Sequence, residues 1–148
     1  MDLTTVSSVL NFYERLEDQT AKFYEELAKN DRYSEGVEMF LDLAKDSRRQ
    51  KDRVLRAYRE CVTDILEVGF SLSGLREADY QFEKETGRDA SFQDILRYAI
   101  NMEETSRRFC QDVSRRSKAL LADISREFER AAERKEERKS KLESLLNE

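Results

Sequence analysis

Histidine is absent from this 148-residue chain. Its absence removes several chemistries at once. Ser-His-Asp triads, Cys-His dyads, histidine-ligated zinc and imidazole general bases all need a side chain the protein does not have. Proline is absent too, and glycine occurs only at Gly36, Gly69, Gly74 and Gly87. So few backbone breakers leave long uninterrupted segments, and there is no glycine-rich loop of the kind that cradles phosphates. No apolar run approaches the roughly 18 residues of a membrane span. The first residues, MDLTTVSSVLNF, lack the basic start and apolar core of a secretory signal, so a cytoplasmic protein with no membrane partner is expected. Cysteine is scarce. Cys61 and Cys110 both fall on apolar stripes, where a reduced pair packed as small hydrophobes is expected over a disulfide.

What is present is charge. Charged residues make up 40% of the chain and apolar residues 39%, a balance that favours long amphipathic helices over strands. The length allows one domain, residues 1–148, with a sizeable core. Net charge is −5 with both signs interleaved, so the whole-chain count implies no strong polyanion-binding field and no nucleic-acid partner. The run ERAAERKEERKSKLE alternates sign and reads as a solvated helix face laced with i,i+4 pairs. Tyr13, Tyr24, Tyr58 and Tyr98 lie near apolar stripes, and packing is expected of them rather than redox chemistry.

Four segments follow the 3.6-residue period. The first helix spans about residues 5–29, the second about 35–67, the third about 92–116 and the fourth about 119–146. Ser91 and Asp94 form a capping-box signature at the start of the third. Residues 68–90 are a long connector with room for a short helix near 74–85, and the other two reversals are short. Short, long, short is the spacing of an all-α four-helix bundle made of two antiparallel hairpins joined by one crossover. The halves also overlay each other. A shift of 86 residues carries Val9, Leu16, Glu17, Thr20 and Phe23 onto Ile95, Met102, Glu103, Ser106 and Phe109; a shift of 88 carries Phe40, Ala44 and Val54 onto Phe128, Ala132 and Leu142.

Depth along the hairpins then singles out one level. Glu17 lies about as far before the first turn as Ser47 and Gln50 lie after it, roughly 20 Å at the 1.5 Å rise of a helix. In the second hairpin Glu103 stands level with Lys135 and Arg138 in the same way. One layer of the core is therefore expected to hold Glu17, Ser47, Gln50, Glu103, Lys135 and Arg138.

Here the residues carry a resemblance. LEDQTAKFYEELA and MEETSRRFCQDVS resemble the glutamate-bearing helices of rubrerythrin-type ferritin-like proteins, and FLDLAKDSRRQKDRV and FERAAERKEERKSKL resemble their partner helices. The likeness covers nearly the whole chain. It implies a ferritin-like bundle and a homodimer, with two irons held by a Glu from each of two helices and a Glu-x-x-His motif from each of the others. Position by position, Glu17 and Glu103 match the lone glutamates. Ser47 and Gln50 stand where the first motif's Glu and His would be, and Lys135 and Arg138 where the second motif's would be. Both motifs are lost, and a cation cannot ligate iron.

The expectation is a buried ion-pair network in place of a metal centre, no cofactor, and a non-catalytic scaffold or interaction protein with an unidentified protein partner. Four alternatives stay open, one of them a DNA- or membrane-surface adaptor, which the mixed charge opposes. Lys135 and Arg138 snorkel to solvent and pair locally with Glu133, Glu136 or Glu137. A rotated fourth helix offers those glutamates, with Asp46, as metal ligands. Or Glu17 and Glu103 retain iron or another divalent metal for an oxidoreductase or iron-handling role.

Overall fold

The computed structural model describes residues 2–3, 5–61, 74–82, 90–117 and 122–147. Among these the chain is all-helical, with α1 at Val6–Ala28, α2 at Val37–Cys61, α3 at Phe92–Ser117, α4 at Ala122–Leu146, two 3₁₀ turns and no strand. The four helices begin close to the positions that periodicity gives, and α1, α3 and α4 end close to theirs. Residues 62–67 of the expected second helix, Leu120 and Leu121 of the fourth, Gly69, Gly87 and the side chain of Cys61 lie outside the described residues. No described helix is long and apolar enough to cross a membrane.

Local chemistry sets the helix starts. Thr5 caps α1 through a reciprocal box: its Oγ1 accepts from Ser8 N–H at 3.0 Å, and its own N–H donates to Ser8 Oγ at 3.1 Å. Ser91 Oγ accepts from Asp94 N–H at 3.1 Å, and Asp94 Oδ2 accepts from Ser91 N–H at 3.3 Å, fixing the start of α3. Between α1 and α2 the chain turns through a 3₁₀ segment, Asp31–Gly36. Gly36 is needed for close approach, because a Cβ there would sit 2.8 Å from the Phe40 ring.

Side-chain pairs give the helix directions. Glu25–Arg48, Asp18–Lys51 and Ser7–Tyr58 run α1 antiparallel to α2. Ser114–Ser125, Arg107–Glu136 and Glu104–Lys139 run α3 antiparallel to α4. Phe12–Phe109 and Phe23–Tyr98, with ring centroids 5.1 and 4.9 Å apart, run α1 antiparallel to α3. It follows that α2 and α3 are parallel, so the chain joining them must travel back along the helices.

The described part of that link supports this path. Leu3 N–H donates to Leu75 O at 2.8 Å beside the start of α1, and Tyr80 Oη donates to Asp112 Oδ2 at 2.5 Å further along. At the far end Ala90 O accepts from Tyr33 Oη at 2.7 Å. Gly74, at φ +84°, makes a turn that favours glycine. Of the span 74–85, where a short helix is expected, residues 83–85 lie outside the described residues, and 74–82 form one 3₁₀ turn, Glu77–Tyr80, held by side-chain contacts to α1 and α3.

The core is divided in two. One apolar cluster gathers Val9, Phe12, Tyr13, Leu16, Val54, Phe109 and Phe128; the other gathers Tyr24, Leu27, Phe40, Leu43, Leu96, Met102 and Leu142. Each fully buried aromatic contributes about 1.5–3 kcal/mol through removal from water. Between the clusters, on every helix, the inward residues are polar.

Candidate functional site

Going inward from the helix starts, each helix delivers its polar residues to the same level. α1 brings Glu17 and Thr20, α2 brings Ser47 and Gln50, α3 brings Glu103 and Ser106, and α4 brings Lys135 and Arg138, all buried. The i,i+3 spacing on each helix is what puts two polar side chains on one inward face.

Lys135 Nζ donates to Glu17 Oε1, and Tyr13 Oη donates to Glu17 Oε2 at 2.6 Å. Neither Glu17 nor Lys135 is more than 1% exposed. The second group is more branched. Glu103 Oε1 accepts from Tyr24 Oη at 2.9 Å and from Arg138 Nη1 at 3.4 Å. The same Nη1 donates to Ser47 Oγ at 2.6 Å. Arg138 Nε lies 3.0 Å from Asp46 Oδ2, an ion-pair contact without hydrogen-bond alignment. Asp46 also accepts from Arg134 Nη2 at 2.7 Å and Nε at 3.2 Å. Gln50 is brought to the layer without a protein partner for its Nε2.

Lys135 and Arg138 are therefore interior residues, at 0% and 2% exposure, and the snorkelling alternative is closed. Rotation of the fourth helix is closed as well. Glu136 is half-exposed and faces Arg107 at 3.4 Å, while Glu137 pairs with Arg134 at 2.7 Å on the outside. Asp46 is committed to two arginines.

The electrostatics follow from burial and charge. Burial works against the charged form of Arg138, but Glu103, Glu17 and Asp46 outweigh it and hold the guanidinium above the usual arginine value. Burial also opposes ionisation of Asp46; hydrogen bonds from Arg134 and the charge of Arg138 override it and bring the carboxyl below its ordinary value. Tyr13 and Tyr24 are pushed well above the normal tyrosine range by burial, then by the charge of Glu17 and Glu103 respectively. Burial raises the Cys110 thiol far out of the reactive range, reinforced by Glu17.

Three partners in the layer were not among the six positions read from spacing. Tyr13 was legible as a donor, since it sits four residues before Glu17 on the same stripe. Asp46 precedes Ser47 by one residue and turns towards α4 only once α2 and α4 are side by side. Tyr24 reaches from α1 to α3, and its partner depends on the approach of those helices.

Chemically, the charges of the layer are paired within it, while Gln50 Nε2, Glu103 Oε2, Ser106 Oγ and Arg138 Nη2 have no hydrogen-bond partner among the described residues. Each buried carboxylate faces a cation and a phenol, the thiol and phenols are held protonated, and among the described residues no three His, Cys, Asp or Glu side chains form a group that could hold a metal ion. From outside, a surface groove between α2 and α4 reaches Asp46 and Arg138. No family model, curated protein or solved structure matches the chain.

Proposed function

We propose that the chain is a ferritin-like four-helix bundle of the rubrerythrin type whose di-iron positions carry an ion-pair network, and that it works without metal as a scaffold or interaction protein. The parallel α2 and α3 and the long link between them support the bundle topology. The observation that carries the functional reading is the pairing of Lys135 with Glu17 and of Arg138 with Glu103 in the buried layer. The residues at these positions do not fit a di-iron centre. Two carboxylates remain of six ligands, and each already faces a positive charge that would repel a metal ion.

The test is anaerobic loading with ferrous iron followed by exposure to air. The expected result is no iron retained on desalting, no oxo-bridge absorption band and an unchanged melting temperature, since a ligand that binds only the native state must raise stability. Roughly two irons per chain with that band would overturn the reading in favour of a di-iron protein. The likeness also carries a homodimer. Light scattering on the eluted protein should give twice the chain mass, and a monomer mass would remove that part.

A further inference from the structure

The charge of the chain is unevenly placed. Residues 45–59 hold seven cations and two acids, a net +5 in a protein whose total is −5. The fold sorts them. Arg48 and Lys51 lean to α1 and pair with Glu25 and Asp18 at 2.7 and 2.8 Å. Asp46 leans to α4 and is taken by Arg134 and Arg138. That leaves Lys45, Arg49, Arg53, Arg56 and Arg59, all exposed and none ion-paired with a described residue. At 100° per residue they fall within an arc of roughly 120°, along about 21 Å of helix. Asp52 shares the arc and offsets one of them. Some exposed cations elsewhere are answered locally, as Arg97 is by Asp94 and Arg130 by Glu127.

We propose that this exposed stripe of α2 binds the phosphodiester backbone of double-stranded nucleic acid without reading its sequence. Three features of the stripe select that partner. Four of the five free cations are arginines, whose planar fork suits phosphate oxygens. A protein-docking face needs an apolar or aromatic centre, and a membrane-surface helix needs apolar side chains to bury. The stripe offers neither, since Leu41, the only large hydrophobic residue exposed among the described residues, stands alone on the same face one turn before Lys45. Single-stranded binding relies on aromatic stacking platforms, which this face also lacks. A duplex needs charge alone, and about 21 Å of it presents roughly 12 phosphates.

The experiment is fluorescence anisotropy of the full chain with labelled DNA and RNA duplexes of about 20 base pairs, across a salt series. Binding at low salt should weaken with a log–log slope near −4, about 0.9 per neutralised phosphate. Arg49→Gln/Arg53→Gln/Arg56→Gln should cut affinity at least about tenfold and flatten the slope by between roughly 2 and 3. Arg15→Gln/Arg97→Gln/Arg130→Gln, which changes net charge equally on other faces, should bind within about twofold of the parent. Circular-dichroism melts confirm folding; should the triple variant fail to fold, Arg53→Gln alone should flatten the slope by about 1. Binding to either duplex upholds the proposal, and the tighter of the two identifies the source. No binding at low salt, or equal loss in the control variant, overturns it. Stripe-dependent binding to polyglutamate or phosphatidylserine vesicles but not to duplexes overturns it too, and reassigns the face to an acidic protein or a membrane.

Discussion

Lys135 places its ammonium group against Glu17 with no exposure to solvent, and among the described residues Glu17 has only Tyr13 besides as a hydrogen-bond partner. Removing one member of such a set leaves a buried charge without its counterpart, at a cost of about 3–5 kcal/mol. Lys135→Met and Glu103→Ala should each lower stability by that amount in urea denaturation. Tyr13→Phe/Glu17→Leu/Lys135→Met removes the whole hydrogen-bonded group and should return stability to within about 1 kcal/mol of the parent, or above it. If Glu103→Ala unfolds at the parent's midpoint, the layer contributes nothing to the fold. The tyrosines provide an independent readout. A folded-state pKa raised above the unfolded value gives stability that is complete below the unfolded value, about 10, and is lost as pH rises through the folded one. Absorbance at the tyrosinate band should therefore show a late class that ionises only as the protein unfolds in alkali. Tyr13→Phe and Tyr24→Phe should each remove one member of that class. Ionisation of both phenols in the ordinary tyrosine range, with the protein still folded, would contradict their placement.

At the scale of the helix, signals within one turn of each other were the most readable in the sequence. The Ser91–Asp94 box lies in four consecutive residues, and the structure makes both of its hydrogen bonds. Ser91→Ala should cost about 1 kcal/mol, read as a lowered melting temperature, whereas breaking the exposed Glu25–Arg48 pair should cost at most about that much. A Ser91→Ala protein as stable as the parent would mean that α3 is fixed by packing alone. Helix spans and the level of the polar layer were legible for a related reason. Both depend on the 3.6-residue period and the 1.5 Å rise, which every helix shares. The connector was not. Glu77–Tyr80 is held by partners such as Asp112, remote in sequence, so no local pattern marks it. Asp46 and Tyr24 were missed on the same ground: each is polar at an ordinary helix position and acquires its role from a neighbouring helix.

Across the whole molecule, one chain of contacts crosses all four helices. It runs from Asp46 on α2 to Arg138 on α4, then Glu103 on α3 and Tyr24 on α1, with Arg134 tying its start to the surface. The two apolar clusters meet at this layer, so the helices cannot slide past one another without separating it. Asp46 is its titratable entry point. Its folded pKa lies below the ordinary carboxylate value, so the stability it supplies is present above the unfolded value, about 3.9, and is lost as pH falls through the folded one. Glu25 and Glu104 are lowered as well, by Arg48 and Arg107, and add to the acid loss from the surface. Comparison with Asp46→Asn isolates the crossing chain from them. The variant should melt below the parent at neutral pH, because Arg138 and Arg134 lose a charged partner. Between about pH 5 and pH 2 its melting temperature should fall less steeply, so that the two curves converge. Parallel curves would show that Asp46 holds nothing together, and the tie between α2 and the crossing chain would then rest on the hydrogen bond from Arg138 to Ser47.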